Sequence, residues 1–511
     1  MKPARRLAAP AGAPPGEKVT VRLCARPAAA KLAVRHGGPL PAASPSEFPM
    51  SAVVHSPESS RQSLPLAVGD PGRTVVFDGN GRLTLGRFLA QVRALATRLP
   101  EASHVVHLAE DRRDFLLAFC AAALREQVAL LPPSGAPGTV AELLQAHPGA
   151  YCLRGAGGGP RHWPLPAGLE DGAGGAAVPR VEAAAPAAIG YTSGSTGRPQ
   201  AHAKTWGAFA TGTAQNLAAL ADLWGAAQPQ VVATVPPQHM YGMEMSVLLP
   251  LLGGAAVHAA RPLLPADVAE ALEQASAPRI LVTTPVHLRA LLRSGVALPP
   301  LAGIVSATAP LPQELAAEAE DRYGAEVREV FGSTETCVFA RRRTARDALW
   351  TPLPGVRVSP QPDGTLVQAP HLPAPVVLAD IFEVGPDGRF RLCGRRADLL
   401  EIAGKRASLG DLTRRLLAVP GVEDGVVVQM EPERESGVGR IGALVVAPGR
   451  TAAEIVEALR ATLDPVFLPR RLRLLPALPR NATGKLRRDE VLALLEGTHS
   501  SAVPEAPGRD A

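Results

Sequence analysis

Cysteine is scarce and scattered. The five cysteines, Cys24, Cys120, Cys152, Cys337 and Cys393, include no C-x-x-C pair. That argues against a disulfide framework and against a zinc site, and it suits a reducing cytoplasm. No stretch reaches the roughly 18 uninterrupted apolar residues of a membrane span, although 46% of the residues are hydrophobic and only 20% charged. A soluble globular protein is expected. A large charge imbalance is also missing: a formal +6 over 511 residues gives little support for an acidic partner and less for nucleic acid. No internal repeat is visible. The G-x-x-x-x-G-K-[ST] spacing is absent, which excludes a P-loop ATPase. Acids are nearly missing from the first fifty residues, where only Glu17 and Glu47 interrupt a run rich in Ala, Pro and Arg. Such a segment cannot bury a core.

That opening segment imitates a transit peptide, but it has no sustained amphipathic pattern and no apolar signal core. Residues 1–58 are expected to be a disordered extension, or a gene-model artefact if translation starts at Met50. From about residue 72, apolar runs such as RTVVFD and HVVHLA alternate with helical patterns such as LTLGRFLAQVRALATRL, the signature of βα units. The alternation continues through VVATV, RILVTT, AGIVSA and EVREVF, ending near residue 331. Short strands and a hairpin turn from Gly385 to Gly388 follow. After Gly394 the pattern resets, with helices near 409–418, 452–463 and 488–495 and strands VVVQM and ALVVA. The expected fold class is α/β. A large domain over 60–394 has α/β subdomains and a β-rich portion, a small α+β domain covers 395–497, and 498–511 is a disordered tail.

The strongest local signal is GYTSGSTGRP, Gly190 to Pro199. Read alone it is a flexible linker. It is also a loop that can wrap phosphates, because glycines let backbone N–H groups approach closely and hydroxyls add donors without bulk.

This run resembles the phosphate-loop signature of the ANL superfamily of adenylate-forming enzymes, which holds the acyl-CoA synthetases, peptide-synthetase adenylation domains and luciferases. Further motifs follow in that superfamily's order, and the likeness covers residues from about 70 to 495. It implies that Thr192, Ser193, Gly194, Ser195, Thr196 and Gly197 wrap the phosphates of ATP. His239 resembles the residue that walls the acid pocket, with Gly242 and Ser306 near it; Tyr241 is either pocket wall or plain core, and Cys337 either lines the pocket or is a small buried residue. Thr308, Ala309 and Pro310 resemble the adenine loop. In the segment Phe331, Gly332, Ser333, Thr334, Glu335, the threonine meets phosphate and the glutamate holds Mg2+. Asp380 and Arg395 match the ribose contacts, and Arg406 is placed at the nucleotide. Lys485 resembles the catalytic lysine, Gly404 borders the pantetheine tunnel, and Ala397 is the hinge of a mobile C-terminal domain. Adenylation builds negative charge on the α-phosphate, so a divalent cation, backbone donors and a delivered cation are the groups it requires.

Two positions depart from the pattern. Gln200 stands where the loop usually ends in lysine, and Lys204 replaces that lysine if the stretch is helical, since i and i+4 share a face. Glu401 stands where many relatives carry lysine. The segments around Leu400–Leu409 and Gly332–Arg342 resemble one branch, the AMP-ligases of aryl-polyene and xanthomonadin pigment clusters. That branch implies a hydroxylated aromatic acid such as 4-hydroxybenzoate, loaded onto the phosphopantetheine thiol of an acyl carrier protein. The acid-free run Arg470–Arg488, with seven basic residues, either steers an acidic carrier protein or is a solvated face. Coenzyme A is the alternative acceptor, and a non-catalytic nucleotide-binding homologue is the reading from another class.

Overall fold

The computed structural model describes residues 62–154, 161–166, 169, 177–193, 199–362, 364–395, 399–402, 405–430, 440–460, 462–481 and 484–497. All of them belong to one compact unit, Val54–Ala511. The expected disordered extension at 1–58 and tail at 498–511 lie outside the described residues.

The apolar runs build two large sheets. One has nine strands in the order Thr351–Pro352, Cys337–Arg342, Val327–Ser333, Gly303–Ser306, Arg279–Thr283, Gln230–Ala233, Ala256–His258, Thr74–Asp78 and Gly81–Thr84. Its inner strands pair in parallel and its edges are antiparallel. The other has six, in the order Pro199–Thr205, Pro186–Ser193, Val128–Leu131, His104–His107, Tyr151–Arg154 and His162–Pro164.

Because strand side chains alternate between faces, each apolar run of the nine-stranded sheet feeds two cores. Val231, Ile280 and Val305 join a core shared with Val105, Ala129 and Ala188 of the six-stranded sheet. Val232, Leu281 and Ile304 instead pack with Val268, Leu288 and Leu315, on helices Pro265–Gln274, Pro285–Ser294 and Gln313–Tyr323. Burial on both faces is why these strands read as continuous apolar runs. Helices Leu85–Ala96, Arg112–Leu124 and Trp206–Leu220 send Phe88, Phe115 and Phe209 into the shared core. Their starts are set locally: the Thr84, Asp111 and Thr205 side chains each accept a backbone N–H from the first turn.

The β-rich portion follows as expected. Strands Asp380–Val384 and Phe390–Arg395 form a hairpin, closed where Gly385 N–H donates to the Arg389 carbonyl at 2.8 Å. Phe382 and Phe390 stack on each other and on Phe339, fastening this hairpin to the large sheet. Beyond it lies a smaller C-terminal lobe with helices Leu409–Leu417, Ala452–Arg460 and Arg488–Glu496 and a sheet of Asp424–Gln429, Ile441–Val446 and Arg471–Leu474. Its two cores contain no residue before Leu400. An Arg293–Glu423 ion pair joins the lobes.

Candidate active site

Strands ending at Leu131, Ser193 and Ser333 meet at one cleft, lined by Leu131, Pro132, Gly190, Tyr191, Gln238, His239, Met240 and Thr334. Ligand clefts of parallel sheets sit at such strand ends. Two glycines let the walls close up. A Cβ on Gly190 would lie 2.6 Å from Thr334 Cγ2, and one on Gly332 would lie 2.2 Å from the Cys337 carbonyl oxygen.

Three buried polar atoms near this cleft have no hydrogen-bond partner among the described residues: Gln238 Oε1, Ser306 Oγ and Thr308 Oγ1. Each such group costs about 1–3 kcal/mol, so their clustering marks a place that a polar ligand completes. Thr308 also holds a left-handed backbone, φ +82°, a strain that concentrates at ligand sites; Ala309 and Pro310 continue its loop.

His239 precedes the Met240–Met243 helical turn. Burial, then the charges of Lys485 and Arg261, lower its imidazole to about 4, so it is neutral at physiological pH. The structure therefore brings Lys485 of the smaller lobe within electrostatic reach of the pocket histidine. A Cβ on Gly484 would stand 3.9 Å from Thr308 Oγ1. Lys485 itself is exposed, and its loop is tied by Lys485 N–H donating to Asn481 Oδ1 at 2.9 Å. Arg480 donates to the Gly484 carbonyl at 2.7 Å and to both Asp424 oxygens at 2.7 and 2.8 Å.

Asp380 and Arg395 are paired across the hairpin, which unites the two expected ribose contacts on one ladder rung. Burial alone would raise the Glu335 carboxyl. Hydrogen bonding from Ser333 and the proximity of His202 and Lys204 outweigh it and hold the group below the usual range. An ionised carboxylate next to Thr334 fits Mg2+, which takes one or two carboxylates and keeps its other positions for phosphate and water. Among the described residues no cluster of three metal-ligating side chains exists. Gly194, Ser195, Thr196, Gly197, Ala397 and Gly404 lie outside the described residues, and for Ser193, Arg395 and Arg406 only the backbone is described. Arg406 is the register partner of Glu401.

Three expectations change. Lys204 lies on the strand Pro199–Thr205, not a helix; it is 5% exposed and its Nζ donates to the Glu335 carbonyl at 2.6 Å. It is therefore committed away from the phosphate position that Gln200 leaves. Tyr241 is core rather than pocket wall, because its hydroxyl serves the Thr283 and Val305 carbonyls at 3.2 and 2.8 Å. Cys337 is buried, absent from the cleft lining, and has its thiol pushed up to about 12. Phe331 packs edge-on to Phe339 and Phe382 and stays partly exposed, which leaves its expected place at the nucleotide unaltered. Two residues escaped the sequence reading. Gln238 precedes His239 in the same motif. His202 Nε2 stands 3.2 Å from Thr192 Oγ1 and 3.6 Å from the Glu335 carboxylate; reading HAK as a strand, with His202 and Lys204 on one face, would have found it.

Residues 139–367 match the AMP-binding enzyme family, and 414–485 match the AMP-binding enzyme C-terminal domain. The chain belongs to the AMP-binding enzyme family. It is 34% identical over 309 residues to a 4-coumarate–CoA ligase of Rhodobacter capsulatus, covering 59% of this chain and 74% of that protein. Over 265 residues it is 28% identical to a 3-hydroxybenzoate–CoA/4-hydroxybenzoate–CoA ligase of Thauera aromatica, covering 43% and 50%. Its fold matches the o-succinylbenzoate CoA synthetase of Bacillus subtilis in complex with its acyl-adenylate intermediate, with a TM-score of 0.71 at 18% identity over 84% of this chain and 98% of that one. As an AMP-binding enzyme of the ANL superfamily, the protein is an adenylate-forming acid ligase with a large N-terminal and a smaller C-terminal domain.

Proposed function

We propose that this AMP-binding enzyme activates a small hydroxylated aromatic acid, of the hydroxybenzoate or hydroxycinnamate class, and passes the acyl group to the thiol of coenzyme A. The observation that carries the reading is the neutral His239 in the cleft with Lys485 in electrostatic reach. A neutral wall accepts a carboxylate without trapping it as an ion pair, while the lysine supplies positive charge where the α-phosphate becomes more negative. A carboxylate oxygen attacks the α-phosphorus and the bond to pyrophosphate breaks; a thiolate then attacks the acyl carbon and AMP leaves. Glu335 would hold Mg2+, whose charge would offset that of the phosphates. Thr334 lies at the phosphates, and Asp380 with Arg395 at the ribose.

Two facts favour coenzyme A over the carrier protein. The relatives described above are named as CoA ligases. The basic run is also largely engaged: Arg480 binds Asp424, Arg473 donates to the Leu494 carbonyl, Arg488 to the Gln429 carbonyl, and Arg487 lies 3.6 Å from Glu490. The test is acid-dependent pyrophosphate release over a panel of hydroxybenzoates, hydroxycinnamates and fatty acids, followed by thioester analysis with coenzyme A and with a phosphopantetheinyl carrier protein. Release with the aromatic acids and formation of their CoA thioesters is expected. Transfer to the carrier alone overturns the acceptor, preference for fatty acids overturns the substrate class, and no release with any acid leaves a non-catalytic nucleotide-binding homologue.

A further inference from the structure

The turn from Ser333 to Val338 is held by side chains of three separate segments. Lys204 donates to the Glu335 carbonyl at 2.6 Å. His371 Nε2 lies 2.6 Å from the Thr336 carbonyl. Val338 N–H donates to both Glu244 oxygens at 3.1 Å, and Asn216 donates to Glu244 from behind. His202 Nε2 hydrogen-bonds with Thr192 Oγ1 at 3.2 Å and stands 3.6 Å from the Glu335 carboxylate, a contact beyond hydrogen-bond length.

Such an arrangement is costly. An ammonium taken out of water loses several kcal/mol unless it is well paired, yet Lys204 is 5% exposed; its charge is felt by the Glu244 and Glu335 carboxylates, but no carboxylate lies within ion-pair distance of it among the described residues. Its hydrogen bond goes to the main chain of the residue that would hold Mg2+. A methionine there would fill the same space at less cost, so the charge serves the turn rather than the core. The strand geometry allows this reach. His202 and Lys204 are alternate residues of Pro199–Thr205, and across the ladder they face Gly190 and Ala188. These two have no bulk with which to block the way, and Gly190 is the residue against which Thr334 packs.

We propose that His202 and Lys204 are positioning residues for Glu335. Lys204 fixes the main chain and His202 orients the carboxylate, so that Mg–ATP meets an oxygen ligand already in place. This rests on the proposed function only in requiring that the cleft bind Mg–ATP, and it is independent of the acid and of the thiol. It also gives the strand beside the glycine loop a task on the metal side of the site, different from the phosphate contact that Gln200 lacks.

The test is ATP affinity by titration calorimetry, in Mg2+ and again in EDTA, on the full chain and on Lys204→Met, Lys204→Arg and His202→Ala, with a thermal melt of each. In the wild type Mg2+ tightens ATP binding. Lys204→Met and His202→Ala are expected to lose tenfold or more of that tightening while the affinity in EDTA stays within twofold. Lys204→Arg should recover part of it, since a guanidinium donates to the same carbonyl. An unchanged Mg2+ increment in a folded variant overturns the proposal. So does an equal loss in Mg2+ and EDTA, which is the result of a purely structural role. Should Lys204→Met fail to fold, His202→Ala decides, because His202 is partly exposed. Mg2+-dependent ATP binding that is intact in the wild type but sensitive to these changes, without pyrophosphate release on any acid, would sink the proposed function and leave this inference standing.

Discussion

The Ser333–Val338 turn and the loop bearing Lys485 stand at the same cleft and are held by different means. The turn has its carbonyls and N–H groups fixed by buried side chains, with Lys204, Glu244 and His371 all at most 5% exposed. The loop sits on the surface of the smaller lobe, tied to that lobe through Asn481 and the Arg480–Asp424 pair and to the larger lobe through Arg293–Glu423. Groups that bind phosphate and metal gain from being fixed before the reaction begins. A cation that stabilises only one half-reaction gains from riding on a lobe that can withdraw. On the function proposed above, the difference in burial follows that difference in task.

The comparison breaks most directly at Lys485. Lys485→Ala is expected to lower acid-dependent pyrophosphate release about 10²- to 10³-fold, roughly 2.7–4 kcal/mol, with an unchanged melt. Full activity would mean that the surface loop is only a surface loop.

The next largest effect is on acid stability of the larger lobe. His107 is fully buried beside Phe115, its ring nitrogens without a hydrogen-bond partner at good geometry among the described residues, and burial, offset in part by the Ala118 main chain, lowers it to about 4. The folded state thus holds it neutral more strongly than the unfolded chain does. Its stabilisation is intact above the unfolded value near 6.5 and is lost as pH falls from there toward 4, by about 3 kcal/mol. His107→Phe should flatten the melting-temperature profile over that window. An unchanged slope would place the acid-sensitive group elsewhere. The smaller lobe has no histidine between residues 400 and 497, so acid should loosen the fixed side of the site first.

Tyr241→Phe sharpens the distinction between wall and core. Removing a hydroxyl that serves two backbone carbonyls should cost about 1 kcal/mol of stability and leave the ranking of acids unchanged; a changed ranking would restore Tyr241 to the pocket. The smallest effect is expected from Glu423→Ala. Half-exposed ion pairs give about 0–1 kcal/mol, so adenylation should slow less than about fivefold, and the difference should vanish at high salt.

Much of this was readable from residue order. The runs RILVTT and AGIVSA became adjacent parallel strands, because residues buried on both faces leave an uninterrupted apolar signature. The 385–388 hairpin and the three C-terminal helices fell within a few residues of their expected places. Lys485, Glu335 and Asp380 were named from motifs, and the structure puts Lys485 within electrostatic reach of His239 and Asp380 opposite Arg395. The failures share one cause. Whether Lys204 faces a phosphate or a carbonyl depends on strand or helix geometry and on what lies across the sheet. Gln200 to Thr205 is too short and too polar to show its own period. Tyr241 looked like pocket wall by position, but the acceptors of its hydroxyl lie more than forty residues away in sequence.

By itself the sequence determined the alternating α/β scaffold, the separate C-terminal lobe and the chemical groups of an adenylate-forming site, since these rest on periodicity and on short contiguous motifs. Tertiary structure alone decided which of those groups are held rigid and which are presented. It put His202 and Lys204 beside Glu335, took Tyr241 and Cys337 into the interior, and left the Ser306 and Thr308 hydroxyls without a partner among the described residues. Burial and pairing are relations between distant segments, and they exist only once the sheets have packed.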